Sequence, residues 1–507
     1  MTDFPGRSWT MGAEVAGAEW SNQERQRYRE KVSQDLDVFE RMLATHSFDI
    51  DAPTTGFEIE MSLVDDELRP SRKNSELLRA LDDPETVPEL GRFNVEMNIA
   101  PRVLVGDDAF GLEDELRARL QSVRDAGRQV GCRPVPVGVL PTLMPEDLGE
   151  GWMTANNRYA ALNDAIMRAR GEDILIDIEG HSGEHVAFYS SSIAPESACT
   201  SLQLHLQVAP QKFAKVWNAA QALAGPQVAI GANSPFFCGK ALWHETRIEL
   251  FRQAADTRSV ELVNQGVRPR VPFGDRWITS IFDLFEDNVR YYPALLAEIS
   301  DEDPVSTVEK GTAPQLAELM LHNGTVYRWN RPIYDTMDGR PHLRVENRVL
   351  PSGPTVVDMM ANAVFYYGLL AVLAHDERPV WTQMSFSAAE SNFMNCAREG
   401  MLGRMYWPGF STVTADELAL RHLLPMAHDG LAGAGVSAKV ANRYLGVIEG
   451  RCLSRQNGAM WQLDCVRRLE SRGADRLSAL REMSRLYLEG VDADEPVHTW
   501  PLPFEQD

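Results

Sequence analysis

Four short stretches of this chain alternate strictly between apolar and polar residues. That alternation confines each to a β-strand with one greasy face and one polar face, because strand side chains point to opposite sides with period two. In Gly56–Met61, Phe57, Ile59 and Met61 share one face, opposite Glu58, Glu60 and Ser62. In Phe93–Ile99, the polar face carries Asn94, Glu96 and Asn98. Ser201–Val208 sets leucines and a valine against Gln203, His205 and Gln207, and His342–Val349 sets Leu343 and Val345 against Arg344, Glu346 and Arg348.

If the four strands share a sheet, its apolar face packs on helices. The other face then gathers Glu58, Glu60, Glu96, Gln203, His205, Arg344, Glu346 and Arg348. A merely wetted strand face usually carries lysine and threonine; these segments carry acids, amides, histidine and arginine. Carboxylates with an amide or histidine suit hard divalent cations such as magnesium. Arginine forks suit phosphate and carboxylate oxygens. Metal-holding acids beside phosphate-holding arginines are what phosphoryl transfer from ATP requires. The chain has no G-x-x-x-x-G-K-[ST] loop, no G-x-G-x-x-G after a strand and no H-E-x-x-H helix, so any nucleotide is held by other means.

Between the strands the period changes to that of helices. Ser21 and Glu24 form a capping-box pattern ahead of Tyr28, Val32, Leu36, Phe39 and Leu43 at helical spacing, predicting a helix to about residue 46. Leu112–Val130 and Pro210–Leu223 read as further helices, and from Asp376 onward the chain becomes mainly helical. This gives an N-terminal extension and helix over 1–50, a mixed strand-and-helix region over 51–375 that carries the four polar faces, and a mainly helical region over 376–507. The segments before Trp20 and after Asp492 read as irregular.

The formal net charge of -23 argues against nucleic acid or an anionic membrane surface as partner, since both need basic patches. No apolar run approaches the length of a bilayer span, and Met1–Trp20 lacks the pattern of a secretory signal, so a cytoplasmic protein is expected. The six cysteines are scattered without a C-x-x-C pair. They fit neither a zinc knuckle nor a disulfide framework and read as buried thiols.

GFEIEM at Gly56, ELGRFNVEMNIAP at Glu89, CTSLQLHLQV at Cys199, GANSPFFCGK at Gly231, HETRIELF at His244 and LRVENRVLPSGPTVVD at Leu343 stand in that order. The set resembles the glutamate–cysteine ligase family of the bacterial and plant type, within the glutamine synthetase superfamily. The resemblance implies an α+β fold: a glutamine synthetase-like curved, antiparallel-dominated sheet forming an active-site funnel, with helices on its outer face. It implies an ATP- and Mg²⁺-dependent carboxylate–amine ligase working through an acyl phosphate. By the same resemblance Glu58, Glu60, Glu96, Glu346 and Gln203 are metal ligands. Gln203, His205 and Asn233 contact the nucleotide. Arg247, Arg158 and Arg348 contact the substrate, and Arg348 and Arg344 act in catalysis. Arg328 is a further residue near the substrate, and the aromatic segments at Trp329 and Met405 either shape the acceptor site or pack. The implied partners are small molecules, glutamate or another amino acid and an amine acceptor; a homo-oligomer is compatible. A phosphotransferase on the same fold, or a non-catalytic binding protein, stays open beside the ligase.

Overall fold

The polar and apolar faces read from the alternating segments become two sides of one sheet in the computed structural model, which describes residues 20–45, 48, 53–181, 183–337 and 339–504. The segment expected to be irregular before Trp20 lies outside the described residues, as do 505–507. In chain order come β1 (Thr55–Val64), β2 (Thr86–Pro88), β3 (Asn94–Arg102) and β4 (Arg133–Val135). Next are β5 (Ile174–Glu179), β6 (His185–Ser190) and β7 (Ser201–Gln207), then β8 (Phe236–Phe237) and β9 (Lys240–Ala241). Strands β10 (Asn330–Met337), β11 (Arg340–Pro351), β12 (Arg404–Trp407) and β13 (Ser411–Thr414) complete the set.

The main sheet has seven strands in the order β10-β11-β7-β1-β3-β2, with β4 on the far part of β1. Its pairs are antiparallel, and the sheet curls into a half-barrel. All four alternating segments therefore lie side by side in it. Register fixes which side chains meet: Glu58 stands opposite Gln203, Glu60 opposite Glu96, and Glu346 opposite both His205 and Arg331.

The apolar face of the sheet, including Phe57, Ile59, Met97, Leu204 and Val345, enters a core cluster that runs from Tyr28 to Cys452. Two long helices supply much of the cover. Pro210–Gly231 extends past the expected Leu223 and contains Pro226. Val356–Leu373 is long and apolar enough to cross a membrane by composition, which corrects the expectation that no such run exists. Nearly every one of its residues is buried within the protein, however, so it is the helix about which the core is built.

Ser21 and Glu24 exchange the two expected capping hydrogen bonds at the start of helix Asn22–Thr45. The C-terminal region is mainly helical and adds the hairpin β12–β13, whose turn holds Pro408 and Gly409. The order in the tail is greater than its composition suggested: helix Arg476–Ala493 runs through Asp492, and Val497 docks on Asp358 through its backbone N–H. Asp358 is the anchor of this region. It is fully buried and pairs at 2.8 Å with Arg451, also buried, whose guanidinium donates to Asn362 at 2.6 Å.

Breaking a buried charge pair by removing one partner strands the other charge in a poorly polarisable interior. Arg451→Met is therefore expected to destabilise the protein by about 3–5 kcal/mol in urea unfolding. Asp358→Leu combined with Arg451→Met is expected to cost less than the sum of the single changes. Simple additivity would show that the pair is not coupled.

Candidate active site

Glu58, Glu60, Glu96, Gln203, His205, Arg344, Glu346 and Arg348 come from the strand periodicity already described, the hairpin β10–β11 adds Arg331, and the turn after β2 adds Glu89. At its heart Glu346 accepts from Arg331 Nη2 at 2.6 Å and Nε at 3.0 Å, and from Arg348 Nη1 at 2.7 Å. Burial alone raises a carboxyl pKa, but here the two guanidiniums outweigh it and hold Glu346 far below the ordinary carboxylate range. Arg348 also donates to Gln203 Oε1, and Gln203 Nε2 donates to Glu60 Oε1 at 2.8 Å. Gln203 is thus a bridge between Arg348 and Glu60, with both ends of its amide engaged.

On the neighbouring edge, Arg344 Nε donates to His205 Nδ1 at 3.2 Å, which places the ring proton on Nε2. That nitrogen lies 3.0 Å from Glu58 Oε1. Burial opposes ionisation of Glu58, but His205 overrides it, and the pKa of Glu58 is lowered. Arg344 also reaches Asp335 at 3.1 Å.

Among the described residues, a second cluster has no cation closed on it. One oxygen each of Glu60, Glu89 and Glu96 can be chosen so that all three lie within 4.8 Å of one another. Burial, then repulsion from Glu89, pushes Glu60 up to about 7. Burial raises Glu89, and burial together with Glu58, Glu89 and Glu60 raises Glu96 well above the usual carboxylate range. Converging, charge-frustrated oxygen donors of this kind are the chemistry a hard divalent cation relieves.

Beside this trio opens a small pocket of about 70 Å³, lined among others by Glu89, Asn94, Glu196, Arg247, Trp329 and Arg348. Arg247 sits in its wall, but its guanidinium is engaged: Nε pairs with Glu245 at 2.9 Å, and the two terminal nitrogens donate to the carbonyls of Arg348 and Val349. Arg158 is buried, and its guanidinium feels Tyr327, Tyr159 and Arg331.

Asn233 is not brought to the site. It is fully buried, with its side chain bonded to Ser352, Tyr487 and Gln462, and a Cβ at Gly458 would lie 2.0 Å from its Oδ1. It is a packing hub beneath the C-terminal helices. Arg328 likewise donates to Asn288 Oδ1 from two nitrogens within the protein. Cys199 and Cys238 are only half-buried, and Cys199 lines the pocket.

Sequence reasoning missed Glu89 and Arg331. Arg331 had a usable signal: the Asp338-Gly339 dipeptide marks a hairpin turn, and counting outward from it sets Arg331 opposite Glu346. Glu89 follows the short β2 and has no periodicity to betray it, since the turn at Gly91 folds it back onto Glu96.

The model of glutamate-cysteine ligase family 2 matches residues 54–478. No curated protein matches the chain. Among solved structures it is similar to a glutamate–cysteine ligase from Francisella tularensis in complex with AMP. That match has 13% identity and a TM-score of 0.53, and covers 90% of this chain and 91% of that one. At this identity the likeness is one of fold. A bifunctional glutathione synthetase from Pasteurella multocida matches at 11% identity and a TM-score of 0.47, over 90% of this chain and 55% of that one.

The raised acids give a pH signature. Glu60 ionises near 4.5 when unfolded and near 7 when folded, so it favours the fold at low pH, and that contribution fades as pH rises from about 4.5 to 7. Thermal midpoints without divalent cation are therefore expected to fall across this window. Magnesium is expected to raise the midpoint more at pH 8 than at pH 5, and Glu96→Gln should blunt that rise. An equal effect of magnesium at both pH values would remove the trio as its site.

Proposed function

We infer the reaction from the premise that this chain belongs to glutamate-cysteine ligase family 2 and is accordingly an ATP-dependent ligase forming C–N bonds. We propose that it activates the γ-carboxylate of glutamate and joins it to an amine. The observation that carries this reading is a carboxylate trio, Glu60, Glu89 and Glu96, standing beside the arginine-rich face of Arg348 and Arg344 on one sheet.

In the proposed sequence, a carboxylate oxygen of the substrate attacks the γ-phosphorus of ATP and ADP leaves. The resulting acyl phosphate is attacked by the amine, and phosphate departs with the electrons of the broken C–O bond. The protein's part is positioning and charge stabilisation. Arg348, fixed by Glu346 and Gln203, presents its remaining donors to the transferred phosphoryl group. Arg344, held between His205 and Asp335, does the same from the next turn of the strand. Glu60, Glu89 and Glu96 would hold magnesium, with Glu58 at their edge; bound there, the ion neutralises phosphate charge. Arg247 is locked by Glu245 and shapes the substrate pocket, with its guanidinium 5.7 Å from the centre of the Trp329 ring.

We assign the chemistry to residues 51–375, with the helices of 376–507 bracing it through Asn233, and place the reaction in the cytoplasm, with small molecules as its partners.

Phosphate and ADP release from Mg·ATP with glutamate and a panel of amines, with products read by mass, tests the reading. Amine-dependent phosphate release with a condensed product is expected. A phosphorylated product that accumulates without condensation would make the chain a phosphotransferase instead. Glu346→Gln and Arg348→Lys are expected to lower kcat on the order of 10²-fold or more, and normal turnover in both would take these residues out of the site.

A further inference from the structure

Two polar groups in the pocket wall are buried without a partner among the described residues, and neither has a role in the site so far. One is Glu196, on the turn Ala194–Ala198 that leads into β7, whose Oε2 is shielded and meets no donor. The other is the side-chain amide of Asn94, on the polar face of β3. Asn94 is 2% exposed, and both its oxygen and its nitrogen lack a partner. Gly91 makes room for it, because a Cβ there would lie 2.4 Å from Asn94 Oδ1.

Both side chains line the same pocket as Trp329 and Phe251, whose rings are 5.9 Å apart and form an apolar wall. The two arginines of that pocket are already paired, Arg247 with Glu245 and Arg348 with Glu346. The remaining charge on this wall, apart from the trio, is the carboxylate of Glu196. A buried carboxylate and an amide oxygen are acceptors, and acceptors beside an aromatic wall suit a cation with a short apolar body.

We propose that Glu196 and Asn94 form the subsite for the primary ammonium of the acceptor, and that Glu196 is the base that takes its proton. The proposal rests on the ligase reading. An ammonium nitrogen has no lone pair and cannot attack an acyl phosphate. In the step assigned here, one N–H proton passes to the Glu196 carboxylate. The freed lone pair forms the C–N bond, the C–O bond to phosphate breaks with its electrons leaving on the phosphate, and that phosphate takes the second proton shed by the new amide nitrogen. Among the described residues of this wall, Arg247 is committed to Glu245 and two backbone carbonyls, and Arg348 to Glu346, Gln203 and the phosphoryl group, so the acceptor class favoured is an alkylamine over an amino acid bearing its own carboxylate.

The test compares wild type, Glu196→Gln and Asn94→Ala with Mg·ATP and glutamate, using propylamine, alanine or hydroxylamine as acceptor. Hydroxylamine is uncharged at the assay pH and needs neither an ammonium site nor a base. Glu196→Gln is expected to lose on the order of 10²-fold in kcat/KM for propylamine and far less for hydroxamate formation. Asn94→Ala should raise the KM for propylamine more than that for glutamate. Equal losses with both nucleophiles would overturn the proposal, as would a rise in the glutamate KM alone, which would give the subsite to the donor's α-ammonium. Wild type preferring alanine to propylamine would overturn the acceptor class.

Absence of any glutamate-dependent turnover in wild type would instead overturn the ligase reading. The subsite is then decided by thermal melting with propylammonium. Stabilisation of wild type but not of Glu196→Gln supports it, and no stabilisation of wild type overturns it.

Discussion

Like charges that converge inside a protein repel one another in a medium that screens them poorly. Glu60, Glu89 and Glu96 are forced to do so here by the pairing of β1 with β3 and by the turn that carries Glu89 back over them. Left alone they hold protons that free carboxyls would release, as the raised values of all three record. Such a cluster costs the fold stability, and a proton or a divalent cation would relieve it. The rest of the site is arranged around this unresolved charge.

Elsewhere on the same sheet face the opposite solution prevails. Glu346 lies between Arg331 and Arg348, and Glu58 lies against His205, so these acids stay ionised. Gln203 joins the two regimes: it donates to Glu60 and accepts from Arg348, which fixes the spacing between the frustrated acids and the paired ones. The arginines pay for no isolated burial, because each is matched by a carboxylate, and they retain spare N–H donors for an anionic ligand.

This arrangement needs a rigid base, and the apolar side of the same strands supplies it. Helices Pro210–Gly231 and Val356–Leu373 press against the sheet, and the buried Asp358–Arg451 pair ties the second of them to the C-terminal helices. Asn233 joins the same brace through Tyr487 and Gln462. The resemblance of its ANSPF segment to a family motif made it look like a ligand contact. Its burial on all sides shows that it holds helices to the sheet.

The sequence by itself determined the four site-bearing strands, the face on which each polar residue stands, and the capping of the first helix. Those are local properties: period two fixes the face, and a capping box spans four residues. It also carried the family, through motifs short enough to survive in order. What it could not decide was which of the acids on that face would be neutralised. That depends on register between strands far apart in the chain, which sets Arg331 and Arg348 on Glu346 and leaves Glu60 with Glu89 and Glu96. Glu89 and Glu196 belong to turns, without period, and they enter the site only because the folded chain brings those turns over the sheet. Charge pairing is a property of distance in space, and only the tertiary structure sets that distance.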